Sequence, residues 1–354
     1  MVSLSDVPLT KDRFQTARAA HLWLVLLLVS VSVTSLAVGA SGTSLWGAFA
    51  KILSGQSLSQ MEKVVLWDIR APRLLLGISV GAALAVAGAV MQGLFRNPLA
   101  DPGLVGVSAG AGLGAISAIV LGSTLPIGIV ALAGNALIPV AAFFGGWLST
   151  IVLYRVATRG GRTSVATMLL AGIALGALAG ALSGILVYIA DDRQLRDLTF
   201  WGLGSLAGAT WGKVAVAAPI ILLSILGAFT LGRGLNGLAL GEVTAHHIGI
   251  PVQRMKNLSI LVVAAATGAA VAVSGGIGFI GIVVPHLLRL WTGPDHRTLL
   301  INAALLGASL LLLADVISRV IIAPAELPIG IVTAVLGAPV FLWILLRRRG
   351  MVDL

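Results

Sequence analysis

The sequence contains no cysteine and few charged residues among its 354 positions. Without cysteine, the chain cannot form disulfide bonds, thiolate metal sites or a thiol redox centre. Charged residues make up 10% of the chain, whereas an ordinary soluble domain carries about 25%. The sequence also lacks a Gly-x-x-x-x-Gly-Lys-[Ser/Thr] motif, so it has no phosphate cradle with which to hydrolyse ATP. These absences argue against a soluble protein and against an ATPase.

Hydrophobic residues instead make up 58% of the chain, and the mean hydropathy is +1.05. Most of the apolar segments have the roughly 20 residues that a bilayer core requires. The segment 277–290 is shorter, which predicts a half-span or a segment inside the bundle. The predicted fold is an all-α, polytopic membrane protein with about ten transmembrane helices in a single domain over 1–354. The predicted segments are 21–40, 71–95, 104–122, 136–154, 164–190, 211–231, 257–275, 277–290, 299–322 and 327–346.

The distribution of basic residues predicts the orientation of these spans. With the N-terminus inside, 15 of the 23 Lys and Arg residues fall on the cytoplasmic side, which satisfies the positive-inside rule. Ten segments then place both termini in the cytoplasm, with residues 1–20 as a cytoplasmic tail. The net charge of +10 therefore faces anionic membrane lipid, and it does not indicate a nucleic-acid partner.

A sequence repeat relates the two halves of the chain. Residues 81–90 (GAALAVAGAV) and 268–277 (GAAVAVSGGI) are identical at six of ten positions, 187 residues apart, and the same offset aligns Pro98 with Pro285. Under the predicted topology the two segments run in opposite directions, so the repeat is inverted. Transporters with this architecture place the substrate path between the halves. Chance similarity between two Ala- and Gly-rich helices is the alternative.

One polar stretch, 241–251, lies between two long apolar segments in the second half of the chain. Its residues 242–248 predict a short amphipathic helix, which Gly249 ends and Pro251 prevents from continuing. With its flanks, 239–251, this helix offers a cytoplasmic docking element for a partner. A solvated connecting loop is the alternative.

The stretch 92–106 (QGLFRNPLADPGLVG) predicts a tight cytoplasmic loop. Pro98 and Pro102 disfavour helix at the residues before them. Asp101 can cap the next helix, and Gly103 allows the turn. This stretch, which includes Asn97, closely resembles the signature of the FecCD-type permeases, the membrane subunits of ABC importers for iron-siderophores, haem and vitamin B12. Resemblance to the same family continues, in the same order, at 69–73, 240–251, 278–289, 313–319 and 326–339.

The resemblance implies a homodimer in the bacterial inner membrane, together with two cytoplasmic ATPase subunits and a periplasmic binding protein. ATP and Mg²⁺ would bind to the ATPase subunits, so this chain is expected to be no enzyme and to hold no metal or permanent cofactor. Glu242 is a candidate polar contact to the ATPase, and Gly249 is the hinge-like end of the family's coupling helix. That helix corresponds here to Gly241, Glu242, Val243, Thr244, Ala245, His246, His247, Ile248 and Gly249.

Three external arginines match family arginines that meet acidic residues of the binding protein: Arg70, Arg73 and Arg319. A guanidinium group suits this role because it is permanently charged and holds a carboxylate with two hydrogen bonds. The alternatives are that Arg70 and Arg73 extend to the interface or pair with Asp68, and that Arg319 pairs with Asp315.

The cargo is expected to be haem, because 191–205 and the Phe-Arg form of the loop at 95–96 look most like the haem-permease branch of the family. Arg193 and Arg196 lie three residues apart on one face of a short predicted helix, where they would steer the two haem propionates. Pairing of both arginines with neighbouring aspartates is the alternative. Ferric siderophores and vitamin B12 are rival cargoes.

Glycine recurs every four residues from Gly172 to Gly184, which predicts either close helix packing or one wall of a wide path. The residues predicted to line the translocation path in this span are Val165, Met168, Gly172, Gly176 and Tyr188, with core packing as the alternative for Met168. An ion-coupled secondary transporter is a distant alternative mechanism. It normally needs an ionisable residue in mid-membrane, whereas the acidic residues here fall near the ends of the predicted spans.

Overall fold

The computed structural model describes residues 13–39, 44–126, 128, 131 and 133–347. Residues 1–12 of the predicted tail lie outside this part. A π-helical turn, Val64–Arg70, leads into the fourth helix, and a 3-10 turn, Pro102–Val105, precedes the fifth helix. A β-hairpin joins the sixth helix to the seventh, and its strands are β1 (Thr158–Arg159) and β2 (Arg162–Thr163). The helices are α1 (Arg13–Ala37), α2 (Leu45–Leu53), α3 (Gln60–Lys63), α4 (Ala71–Leu94), α5 (Val107–Leu121), α6 (Leu137–Ala157), α7 (Val165–Ile189), α8 (Asp192–Gly202), α9 (Trp211–Thr230), α10 (Gly232–Ala239), α11 (Glu242–His247), α12 (Val252–Ser274), α13 (Ile280–Thr292), α14 (His296–Val320) and α15 (Ile329–Arg347).

The predicted fold class is confirmed. Within the described ranges, eight helices are long and apolar enough to cross a membrane, and α13 and α15 supply two shorter apolar helices. The first helix begins at Arg13, eight residues before the predicted span, because 13–20 consists mostly of residues that favour helix. The tail predicted over 1–20 is therefore partly helical.

Contacts between helices define two ends of the bundle. At one, which we call the Arg73 end, Arg73 contacts Asp315 of α14, and the Trp211 indole donates to the carbonyl of Trp67 at 2.9 Å. At the other, which we call the α11 end, Gly93 of α4 lies against His296, the first residue of α14. Helices α1 and α14 therefore run from the α11 end to the Arg73 end, and α4 and α9 run the other way.

The predicted inversion of the repeat agrees with these directions. Residues 81–90 lie in α4, which runs toward the α11 end, whereas α12 leaves the α11 end. The repeat is less regular than the sequence suggested, because α12 ends at Ser274 and Gly275 has a positive φ of 70°. The alignment of Pro98 with Pro285 does not extend to conformation, since Pro98 lies in a turn and Pro285 inside α13.

The short segment predicted at 277–290 is a half-span. Its helix, α13, begins at Ile280, and Gly281 packs on Gly88, which lies within the long helix α4. The helix then continues to Thr292 at the α11 end. The extended backbone before it, which includes Phe279 at a φ of +67°, is partly buried, and Gly278 within it is exposed.

Helix α4 forms the centre of the bundle. Of the residues in its most apolar stretch, 78% are buried, whereas only 17% of the residues in the corresponding stretch of α7 are buried. Two glycines allow this close packing: a Cβ at Gly81 would overlap the carbonyl oxygen of Gly307, and one at Gly88 would overlap that of Gly281. Small residues at helix crossings let backbones approach in membrane proteins, where van der Waals packing replaces the hydrophobic driving force.

We expect Gly88→Ala to destabilise the protein by about 1–3 kcal/mol, because the added methyl group must push α13 away from α4. Thermal unfolding of the detergent-solubilised protein measures the effect. Gly112→Ala in α5 is the matched control, since no heavy atom lies within 4 Å of its added Cβ. Equal melting temperatures for the two variants would contradict the close α4–α13 contact.

Candidate functional site

The helix predicted at 242–248 is present as α11, Glu242–His247. It ends as predicted at Gly249, which has a φ of +85°. The Gly249 N–H donates to His246 O at 3.0 Å, and the Ile250 N–H donates to Ala245 O at 3.0 Å. This pair of bonds is a Schellman motif, which satisfies carbonyls that the end of a helix would otherwise leave unpaired.

The outer face of α11 carries an apolar patch. Leu240, Val243 and Ile248 are 66%, 71% and 59% exposed, and Thr244, His246 and His247 are exposed beside them. Exposed apolar side chains on a polar end of a membrane protein indicate a surface that a partner covers.

The residues predicted for ATPase contact are not all exposed to the same extent. Ala245 lies on the inner face of α11 and is fully buried. It can therefore anchor α11 to the rest of the chain but cannot contact a partner. Glu242 is half-buried, and its Oε2 accepts a hydrogen bond from Lys256 Nζ at 2.7 Å. Lys256 was not predicted as a site residue, since its partner lies 14 residues away across the Pro251 turn.

The predicted signature loop is a compact turn at the end of α4. The Asn97 side chain accepts from the Leu99 N–H at 3.0 Å, and the Asp101 Oδ1 accepts from the Gly103 N–H at 2.7 Å. Asp101 thereby caps the 3-10 turn that Pro102 opens, whereas Gly106 precedes α5. Burial raises the pKa of the Asp101 carboxyl, and the hydrogen bond from Gly103 opposes part of this shift. Pro98 lies in the turn between them.

The residues predicted to line the path differ in exposure along α7, with those near its start buried or half-buried and those further along open. Met168 is 1% exposed and Gly172 is buried, so both pack in the core of the single chain, as the alternative for Met168 allowed, and their place in the path stays a prediction. Val165 is half-buried against the core. Gly176 has no heavy atom within 4 Å of an added Cβ, and Tyr188 is 90% exposed.

The open face of α7 continues the glycine stripe. Gly176, Gly180 and Gly184 all have open space where a side chain would be. Large apolar residues flank them, with Ile173 at 63% and Ile185 at 61% exposure. Within the described chain, nothing packs on this stripe.

At the Arg73 end, α8 presents the two arginines predicted to attract propionates. Asp191 caps this helix, and its partner Gln194 also donates to Val120 O at 3.2 Å, which ties α8 to α5. Arg193 and Arg196 are exposed. In the part of the chain that the structure describes, neither forms an ion pair with an aspartate.

The three arginines predicted to dock a binding protein are buried. Arg73 pairs with Asp315 at 2.9 Å and with Glu326 at 2.9 Å, and Arg319 pairs with Asp315 at 3.2 Å. Pairing of Arg319 with Asp315 is the alternative that the sequence allowed. Pairing of Arg73 with Asp68 does not occur, because Asp68 points outward.

Two of these arginines also donate hydrogen bonds to backbone carbonyls at the C-terminal end of α1. The Arg70 guanidinium donates to Leu36 O and to Ala37 O, and the Arg319 guanidinium donates to Ser35 O at 3.2 Å and to Val38 O at 3.1 Å. A positive charge is favourable at a helix C-terminus. Arg70, Arg73 and Arg319 are only 4–5% exposed and are held by contacts within the chain, so their predicted role in docking a binding protein stays a prediction.

Among the described residues, no group of three or more His, Asp or Glu side chains is arranged to hold a metal ion. The candidate site consists of the exposed apolar helix α11 at one end, the open glycine face along α7, and the exposed Arg193 and Arg196 at the other end.

Comparison with known proteins finds relatives along nearly the whole chain. Residues 25–347 match the FecCD transport family. The chain is 46% identical to the hemin transport system permease protein HmuU of Yersinia pestis over 327 residues, 92% of this chain and 95% of that protein. It is 43% identical to the vitamin B12 import system permease protein BtuC of Escherichia coli over 326 residues, again 92% and 95%. A solved structure, provisionally described as a metal-chelate type ABC transporter in an inward-facing conformation, matches with a TM-score of 0.80 and 31% identity over 92% of this chain and 98% of that chain.

Proposed function

The chain belongs to the FecCD transport family, and we propose that within this family it forms the membrane path for haem. It is the permease of an ABC importer of the metal-chelate, haem and vitamin B12 class, and it is not itself an ATPase. Because the chain belongs to this family, the alternative of an ion-coupled secondary transporter is set aside. The structural observation that best supports the ABC importer assignment is the apolar patch on α11, because an ATPase subunit that drives transport needs a surface to which it can bind.

We propose that two copies of the chain form the path, with the α7 faces toward each other. The support is the unpacked stripe of Gly176, Gly180 and Gly184. In a membrane, a glycine stripe stabilises helix association because it lets another backbone pack closely against the helix. Two ATPase subunits at the α11 ends and a periplasmic binding protein at the Arg73 ends complete the proposed assembly. The α11 end, with both described chain ends, then faces the cytoplasm of a bacterial inner membrane.

The support for haem is the pair of free arginines on α8. Two guanidinium groups three residues apart match two propionates in number, and each can hold a carboxylate of the cargo on contact. The hemin permease similarity at 46% identity points the same way. Vitamin B12 is the second candidate, because the vitamin B12 permease is 43% identical over the same share of the chain.

Reconstitution with the ATPase in liposomes tests the cargo. We expect haem-loaded binding protein to stimulate ATP hydrolysis and haem uptake, and Arg193→Gln/Arg196→Gln to lower the uptake rate by about threefold to tenfold at low salt, with a smaller effect at high salt. Asp192→Asn, an exposed change on the same helix, is the control and should not lower uptake. Stimulation by vitamin B12 or a ferric siderophore, with none by haem, would overturn the cargo proposal and leave the permease assignment intact.

A further inference from the structure

A buried lysine joins three elements at the α11 end. Lys256, in the second turn of α12, is 4% exposed. Its Nζ donates to Glu242 Oε2 at 2.7 Å and to the Thr163 carbonyl oxygen at 2.8 Å. Glu242 is the first residue of α11, and Thr163 is the last residue of β2. One ammonium group therefore connects the partner-binding helix to the hairpin.

The hairpin side of this connection is reinforced. The Gln253 side chain accepts from the Thr163 N–H at 3.0 Å and donates to Thr163 Oγ1 at 2.7 Å. Thr163 Oγ1 also lies 2.9 Å from Thr158 Oγ1 across the hairpin. The next residue, Ser164, caps α7. Displacement of Thr163 therefore displaces the first turn of α7.

The α11 side is equally firm. Ile250, which follows the Schellman motif, inserts its side chain against Gly237 of α10, and buried Ala245 packs beneath α11. With its end fixed by Ile250 and its start bonded to Lys256, α11 moves as one body with the residues it contacts.

We propose that Lys256 is the positioning residue that transmits displacement of α11 to the start of α7, a proposal that rests on the proposed function because it assumes that an ATPase docks on α11. An exposed ion pair would be too weak for this role. The Lys256 ammonium is buried, so losing either partner leaves a desolvated charge underpaired, at a cost that an exposed pair does not have. Both partners therefore stay bonded while α11 moves.

The opposing view is a static clamp, which holds the fold together but transmits nothing. Three variants separate the two. Lys256→Met removes the donor and keeps the length of the side chain, whereas Lys256→Arg keeps donors for both oxygens. Arg254→Met removes a charge from the preceding turn of α12, and the exposed Arg254 makes no hydrogen bond or ion pair within the described ranges.

The absence of cysteine allows spin labels to be placed singly. We would label Arg159→Cys in the hairpin or Arg233→Cys on α10, both exposed positions, in the complex with the ATPase in lipid nanodiscs. Because Gly237 of α10 contacts Ile250 at the end of α11, the second label reports on α11 without altering its exposed face, and we call it the α11 label. The distance between the two copies is measured with and without trapped ATP. In the parent chain both labels should move. In Lys256→Met the α11 label should still move, and the hairpin displacement should fall to less than about half, with uptake per ATP falling about tenfold.

Lys256→Arg and Arg254→Met should both behave like the parent. Hairpin displacement in Lys256→Met equal to that of the parent would overturn the transmission role while leaving the proposed function in place. Failure of the α11 label to respond to ATP in the parent chain would instead overturn the proposed function, and the transmission role with it.

Discussion

Asp315→Ala is expected to destabilise the protein by about 3–5 kcal/mol, because it removes the shared partner of two buried guanidinium groups. The Asp315 side chain is fully buried, and its two oxygens contact Arg73 and Arg319, each about 5% exposed. Among the residues that the structure describes, Glu326 would then be the one carboxylate left in contact with them. Thermal unfolding of the detergent-solubilised protein, followed by loss of the monodisperse peak, measures the change.

Glu326→Gln is the matched control for that prediction. It removes a carboxylate from the same network, but the Glu326 side chain is 38% exposed, so water can replace part of the lost contact and the expected cost is below about 1 kcal/mol. If both variants melt together, the network is held by packing, and its charges contribute little to the folded state.

The spans could be predicted because a bilayer imposes a length and a composition that are local to each segment. The same holds for the end of α11, since Gly249 adopts the left-handed conformation that ends a helix wherever the chain allows it. Asp101 as a cap was predictable for a similar reason: it bonds a residue only two positions away.

The arginine network could not be predicted in full, because its partners are distant in sequence. Arg319 and Asp315 lie four residues apart on one helix, a spacing visible in the sequence. Arg73 reaches the same carboxylate only because α4 and α14 pack antiparallel. The resemblance to family arginines suggested that these side chains contact a binding protein, but it gave no information about the direction in which they point in this chain.

Burial along α7 was also outside the reach of the sequence. All faces of this helix are apolar, so periodicity does not distinguish the side that packs on the chain from the side that does not. Met168 and Gly172 therefore fell in the core, while Gly176 and Tyr188 remained open. Lys256 was missed because its two partners belong to elements that meet only in the folded chain.

Proline at position 249 is expected to lower uptake per ATP hydrolysed by about tenfold or more, since it cannot adopt the conformation that ends α11. Gly249 has a φ of +85°, whereas proline is held near −65°. Proline also removes the N–H that donates to His246 O. Ile250 would then leave Gly237, and α11 would lose its fixed end. The measurement is ATP hydrolysis and uptake in the same liposomes.

A graded series separates conformation from size at this position. No heavy atom lies within 4 Å of a Cβ placed on Gly249, so an added side chain meets no obstacle and only φ is strained. Asparagine tolerates positive φ, and it should keep most of the coupling. Alanine should cost about 1–2 kcal/mol and fall between asparagine and proline. If alanine and asparagine fail as completely as proline, the partner needs a bare backbone at residue 249, and the hinge-like role of the turn is wrong. The order asparagine, alanine, proline in declining uptake per ATP would instead show that the left-handed turn keeps α11 rigid enough to transmit force.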